Sequence, residues 1–457
     1  MRYLSTRGGT APMSFSQAVL TGLAPDGGLL VPERFPTVTH RLSEWRKLDY
    51  VALAQEIFRL YVDDIAPDDL DTIVTDAFTT FDHPDIAPLV DLGDFKVLEL
   101  FHGPTLSFKD VALQILGRIF EHLLAQSGEH LNIVGATSGD TGSAAIYGVR
   151  GRANLSIFVL YPNGGTSALQ ELQMTAVPDA NVHCLAIDGS FDDCQSMLKS
   201  TFADLDFKTR YRLGAVNSIN WARVLAQMTY YTHVCLRSEQ PAVFAVPTGN
   251  FGNIFAAIAV REMGVPVGRF VLATNENDIL ARFFQTGVYR LGQVQQTISP
   301  SMDIQVASNL ERFLWLRFGR DPERVKAFMA EFAQSGEASI GDGKPTGEAI
   351  EGVAVDMGDT KATMRLIKER YDYVADPHTA VGIEAARLTA GNGTTPVCIA
   401  TAHPAKFPEA VLDAIGPEAT DAVRHPALDR LDPETARRTV LPADREAVMA
   451  YVRDHAA

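Results

Sequence analysis

The sequence predicts an α/β protein built on parallel sheets with helices on both faces. Two observations carry this. From Phe95 onward, short β-type runs alternate with helical runs, the order that parallel strands joined by helical crossovers require. The strand runs are also nearly continuous in apolar residues, as expected of strands buried on both faces. In such sheets ligands gather at the carboxyl ends of strands, in the strand-to-helix loops.

The elements follow in order. Residues 1–90 stand apart, with turn clusters at Gly8-Gly9 and Pro25-Asp26-Gly27-Gly28 and amphipathic helical stretches at 50–61 and 68–79. They read as an N-terminal domain. A loop with Gly103 and Pro104 leads into a helix over 111–124. Strands are expected at 131–136, 156–161, 182–187, 242–246, 270–273 and 397–400. Helices are expected from 142, over 167–174, 194–205 and 221–234, and over 254–263. Residues 336–347 read as a Gly/Ser-rich loop, and the charged, Pro-containing tail after Gly416 reads as a peripheral cap. Residues 91–457 thus read as one α/β region, with no internal repeat. The loops after Ala136, Val246 and Ala400 are the ones the carboxyl-end rule singles out.

The bulk numbers exclude several classes. The 457 residues are 46% hydrophobic and 21% charged, a globular composition. Forty basic residues against 56 acidic ones leave a net charge of −16, which disfavours nucleic acid or an anionic membrane as partner. A local cationic pocket for a small anion remains compatible with it. The four cysteines are scattered, so reduced thiols in a cytoplasmic setting are expected. The start Met1-Arg2-Tyr3-Leu4-Ser5-Thr6-Arg7 has no signal-peptide core, and the apolar run 254–260 is far short of a membrane span. The eleven histidines show neither HxxxH nor HExxH spacing, so no metal is expected.

The segment His102-Gly103-Pro104-Thr105-Leu106-Ser107-Phe108-Lys109-Asp110 is the most informative. It sets one lysine between apolar Phe108 and an acid, where a loop turns into a helix. Partial desolvation lowers a lysine's pKa and frees its amine as a nucleophile. An arbitrary lysine at a helix start is usually only solvated surface, so the other loops decide. Pro247-Thr248-Gly249-Asn250-Phe251-Gly252-Asn253 joins a strand to a helix. Its backbone amides, the helix N-terminus and the Asn250 and Asn253 amides suit a phosphate, although a plain turn uses the same residues. It is neither a dinucleotide nor a nucleoside-triphosphate fingerprint. Thr137-Ser138-Gly139-Asp140-Thr141-Gly142 offers the Ser138 and Thr141 hydroxyls to a carboxylate or phosphate, or else a helix N-cap. Asn217 precedes a helix whose first turn holds Arg223, a cation placed against the helix dipole and therefore in want of an anion. Thr401 follows the strand 397–400 and could face a ring nitrogen, or simply cap a helix. Lys406 is a second candidate amine.

Together these segments resemble the pyridoxal-phosphate enzymes of the tryptophan-synthase-like fold (fold type II), and within them the threonine synthases of the longer bacterial and fungal form. The resemblance spans nearly the whole chain. It includes Met1 to Arg7, Gly22-Leu23-Ala24-Pro25-Asp26-Gly27-Gly28-Leu29, the Lys109 segment, Gly135 to Gly142, Pro247 to Asn253, Ser301-Met302-Asp303-Ile304-Gln305-Val306 with Ser308-Asn309-Leu310-Glu311-Arg312, and Thr401 to Phe407. It implies two parallel or mixed sheets forming two lobes with pyridoxal 5′-phosphate between them. It implies that Lys109 binds the cofactor's aldehyde covalently, that Gly249, Asn250, Phe251 and Asn253 hold its phosphate, and that Thr401 faces its ring nitrogen. Ser138, Thr141, Asn217 and Arg223 are then the residues for the substrate's carboxylate and phosphate. Asp140, often an asparagine in the wider fold, has its contact left open. The implied reaction turns O-phospho-L-homoserine and water into L-threonine and phosphate. Two alternatives stay open on the motifs: a phospho-lyase releasing 2-oxobutyrate from the same substrate, and a non-catalytic cofactor-binding relative.

Overall fold

The computed structural model describes residues 1–137, 139–341, 349–389, 391 and 395–456. Two sheets organise it. The larger has six strands in the spatial order Ile350–Ala354, Val267–Thr274, Ala242–Pro247, Val397–Ala400, Lys96–Glu99, Leu89–Asp91. All its pairings are parallel except that of the last two. The smaller has five strands, all parallel, in the order Thr439–Pro442, Val182–Asp188, Leu155–Pro162, Leu131–Ala136, Leu213–Gly214. The central strands Leu155–Pro162 and Ala242–Pro247 are buried at every position, which is why they read as unbroken apolar runs.

Helices fill the space around the sheets. The helix Lys109–Ser127 is deeply buried and crosses the helix Asp140–Val149 with almost nothing between the backbones. A Cβ on Gly117 would sit 1.9 Å from the Gly148 carbonyl oxygen, and one on Gly148 would sit 2.6 Å from that of Leu113. Two glycines therefore set the distance between the helices that begin with Lys109 and Asp140.

The N-terminal residues share the main core. Trp221 packs its ring against Tyr3, Phe35 and Tyr61, with centroids 5.9–6.4 Å apart. One continuous apolar cluster joins the helices Tyr50–Tyr61 and Pro67–Phe78 to Lys109–Ser127 and Trp221–Arg237. Arg312, fully buried, donates to the Leu30 carbonyl at 2.8 Å and to that of Ile219. Burial pushes its guanidinium down to about 9.

Several elements differ from expectation. The helix expected at 194–205 runs over Phe191–Ala203, because Ser190 and Asp193 form a capping box at its start. Asp204 then ends it by capping a new helix, Leu205–Arg210. The strand before Asn217 is only Leu213–Gly214, so Asn217 lies in a loop. Part of the loop expected at 336–347 is a strand, Glu337–Ser339, paired with Val288–Arg290, and residues 342–347 lie outside the described residues. The tail expected as a peripheral cap is built into the smaller sheet. Thr439–Pro442 forms its edge strand, and the helix Arg445–His455 buries Val448 and Val452 against Val134, Phe158 and Leu185.

Candidate active site

Loops from both sheets meet at Lys109. The turn before it is held by Asp110, whose carboxylate accepts from the Thr105 amide at 2.8 Å and the Thr105 hydroxyl at 2.7 Å. Gly103 is required there, since a Cβ would lie 2.4 Å from that of Asp110. Leu106 takes a left-handed conformation (φ 61°), and Ser107 bridges to Ala402. The Phe108 amide donates to the Thr401 carbonyl at 2.9 Å. Thr401 thereby stands beside Lys109, at the carboxyl end of Val397–Ala400 as expected.

Lys109 is 7% exposed. Its Nζ lies 3.2 Å from the Ser301 hydroxyl and 3.7 Å from Asp140 Oδ2. Burial lowers its pKa below the ordinary lysine value. Asp140 opposes that, while the charges of Lys406 and Arg223 reinforce it. This is the environment that makes a lysine available as a neutral amine.

Asp140 has a contact set the sequence did not show. The Ser301 hydroxyl donates to its Oδ2 at 3.2 Å, the Gln170 amide donates to Oδ1 at 3.3 Å, and Lys406 Nζ lies 3.2 Å from Oδ1. Burial works against its ionisation, but Lys406, Lys109 and His378 outweigh burial and hold the carboxyl well below the usual range. Lys406 also donates to the Thr105 carbonyl at 2.8 Å and to Gln173 Oε1 at 2.7 Å. Two hydrogen bonds and the ion pair with Asp140 hold this second candidate amine in place.

The loop Thr248 to Asn253 lies beside the same crevice. Phe251 is left-handed (φ 62°) and precedes the helix Gly252–Glu262, whose start has no side-chain cap. A Cβ on Gly249 would come within 2.7 Å of the Ser301 carbonyl oxygen, so the segment carrying Ser301 closes down over this loop. Asn253 accepts from the Tyr231 hydroxyl at 2.7 Å and from that of Tyr230, while its buried Nδ2 has no partner. Asn250 is exposed, and its Oδ1 accepts from the Ser308 hydroxyl at 2.9 Å. An uncapped helix start, a free buried amide donor and a glycine-walled cradle suit the phosphate of a cofactor.

Arg223 lies in the first turn of Trp221–Arg237 and is 3% exposed. Its Nε and Nη1 are buried without a partner, and burial pushes it down to about 10. Burying a guanidinium this way is costly unless an anion completes it. Asn217 is half-buried, with its Oδ1 also unpartnered. Thr141 follows Asp140 at the start of its helix and is half-buried. Ser138 lies outside the described residues.

Sequence reasoning missed three contributors: Ser301, His378 and Asp376. The Ser301 amide donates to His378 Nε2 at 3.3 Å, and His378 Nδ1 lies 2.7 Å from Asp376 Oδ2. Asp376 is the N-cap of the helix Pro377–Leu388. An Asp two residues before a His at a helix start was the available signal, but nothing local tied it to Lys109.

The two-sheet fold and a buried lysine beside a loop suited to a phosphate point to a pyridoxal-phosphate-dependent enzyme. The family model described as pyridoxal-phosphate dependent enzyme matches residues 88–402. Models for the threonine synthase N terminus and C-terminal region match residues 2–78 and 379–452. The chain belongs to the threonine synthase family. It is 45% identical to the threonine synthase of Pseudomonas aeruginosa, over 100% of this chain and 98% of that one. Its fold matches the pyridoxal-phosphate-bound threonine synthase of Brucella melitensis with a TM-score of 0.95, at 43% identity over 100% and 99% of the two chains. The yeast threonine synthase structure gives a TM-score of 0.94, at 39% identity over 99% and 98%.

Proposed function

We propose that this protein is a threonine synthase that converts O-phospho-L-homoserine and water to L-threonine and phosphate with pyridoxal 5′-phosphate. Lys109 binds the cofactor's aldehyde, and Gly249, Asn250, Phe251 and Asn253 hold its phosphate, with Thr401 at the ring nitrogen. The bound cofactor takes up the electron pair left when a proton is removed beside the substrate's amine. Lys109, its amine freed by the substrate, removes protons from Cα and Cβ. Arg223 pairs with an anionic group of the substrate, with Asn217, Thr141 and Ser138 completing that pocket. Phosphate leaves from Cγ, a proton is returned to Cγ to complete the methyl group, water's oxygen adds at Cβ while its spare proton goes to the phosphate, and Cα regains its proton. The substrate is a small molecule and the setting is cytoplasmic; among the described residues no helix is long and apolar enough to cross a membrane.

One observation carries this reading: a buried lysine amine lies within electrostatic reach of a buried guanidinium two of whose nitrogens have no partner. A general base and an anion subsite are what an amino acid bearing a phosphate ester requires. The test is to incubate the purified chain with O-phospho-L-homoserine and quantify threonine, phosphate and 2-oxobutyrate. Threonine and phosphate in equal amounts are expected. Phosphate accompanied by 2-oxobutyrate without threonine would overturn the assignment in favour of a phospho-lyase.

A further inference from the structure

Three groups form a triangle at the site. The Ser301 hydroxyl is 3.2 Å from Lys109 Nζ and 3.2 Å from Asp140 Oδ2, and the amine and carboxylate are 3.7 Å apart. The carboxylate's other oxygen faces Lys406 at 3.2 Å. The segment bearing Ser301 is held from behind, its amide donating to His378 and His378 in turn held by Asp376. His378 and Asp376 are both nearly fully buried.

We propose that Ser301 is a spacer that keeps the Lys109 amine from closing onto Asp140, that Lys406 takes up the charge of Asp140 in its place, and that His378 seats the spacer. The reason is chemical. A base must be neutral when it accepts a proton. A lysine in direct contact with a buried carboxylate is held as ammonium, since an opposite charge within a few ångströms favours the charged form. A carboxylate beside the base is tolerable only if its charge is spent elsewhere and something occupies the gap. Lys406 is held at its post by hydrogen bonds to Thr105 and Gln173. Ser301 fills the gap with a hydroxyl that accepts from the amine and donates to the acid. Its place is fixed through its backbone, which leaves the side chain free for these two contacts. Lys109 has four rotatable bonds and would otherwise settle at charge-assisted distance, about 2.8 Å. Ser301 and His378 act through Lys109 and are positioning residues.

The inference rests on reading Lys109 as the base, and its test is independent of threonine formation. The full chain is stripped of cofactor, and acetylation of Lys109 by acetic anhydride is followed against pH by peptide mass spectrometry. Ser301→Ala is expected to raise the midpoint by about one pH unit, so that labelling below the midpoint falls about tenfold. Ser301→Thr, which keeps the hydroxyl, should stay close to the unsubstituted chain. His378→Leu, which removes the acceptor of the Ser301 amide, should raise the midpoint in the same direction. Adding Ser301→Ala to Asp140→Asn should produce no rise beyond Asp140→Asn alone, because no carboxylate is left to close onto. In the loaded enzyme the acid limb of kcat should move up with Ser301→Ala, since kcat reports the state in which substrate is bound and the amine is free. An unmoved or lowered midpoint in Ser301→Ala overturns the spacer, even if the chain makes threonine. A raised midpoint in a chain that makes no threonine keeps the spacer and removes the reaction. If Ser301→Ala does not fold, an unmoved midpoint in His378→Leu overturns the proposal on its own.

Discussion

Arg223 shows what a single residue can disclose before any ligand is seen. The positive end of a helix dipole disfavours a cation in the first turn, and this guanidinium is buried with two nitrogens unpartnered. An anion supplied by the substrate removes both penalties through charge-assisted, forked hydrogen bonds. Arg223→Ala should therefore retain pyridoxal phosphate, measured by absorbance after dialysis. It should lose about 1.5–3 kcal/mol of transition-state binding, on the order of ten- to a hundredfold in kcat/KM. Arg223→Lys should recover only part, because an ammonium cannot make the fork. Loss of cofactor with near-normal kcat/KM after reconstitution would instead place Arg223 with the cofactor. Arg223 was legible in the sequence because its misfit is local, one charge in one helical turn. Lys109 stood out only together with the other loops, since a lysine at a helix start is by itself ordinary surface. Ser301 was not legible, because its partners His378, Asp140 and Lys109 lie 77, 161 and 192 positions away. An ordinary serine in a single 3-10 turn, Pro300–Met302, gives no sign of such meetings.

At the scale of elements, the crossing of Lys109–Ser127 over Asp140–Val149 carries the most consequence. Both helices present a working residue at their first position, so the gap between Lys109 and Asp140 is inherited from the crossing some way along the axes. Gly117 and Gly148 have no positive φ; their role is only to let backbones touch. Gly117→Ala must push the helices apart, since the obstructing atom is a carbonyl oxygen that cannot swing aside. Overpacking of this kind costs about 1–3 kcal/mol. A melting temperature several degrees lower is expected, together with a reduced kcat. An alanine variant with unchanged melting temperature and kcat would show that the crossing does not set the site. The helices themselves were legible from apolar periodicity and strand-like neighbours. Their crossing was not, because a glycine inside a helical pattern announces a close approach without naming the partner.

Across the whole molecule, the tail after Gly416 completes the smaller sheet. Little in its residues announces this. Thr439–Pro442 is only four residues long and alternates between half-buried and exposed, without the apolar run that marks the central strands. Removing everything after Gly416 should uncover the edge of Val182–Asp188, whose Leu185, Ala186 and Ile187 are fully buried in the intact chain. Exposed apolar edges template pairing between chains. The truncated protein is expected in the insoluble fraction or as large species in gel filtration, and a soluble monomer of unchanged melting temperature would refute this.

The position of Val397–Ala400 in the larger sheet has a temporal consequence. It lies between Ala242–Pro247 and Lys96–Glu99, so the strand made last in that sheet belongs near its middle. While the ribosome is still producing earlier segments, the two halves of the sheet have no strand to join them. Pairings between distant parts of a chain form slowly, and larger proteins pass through incomplete states on the way. The Phe108–Thr401 hydrogen bond and the Ser107–Ala402 bridge close only when that strand slots in. The pocket beside Lys109 therefore closes only after the strand Val397–Ala400 has been made and has inserted, and an occupant that binds only the finished pocket stabilises that insertion by mass action.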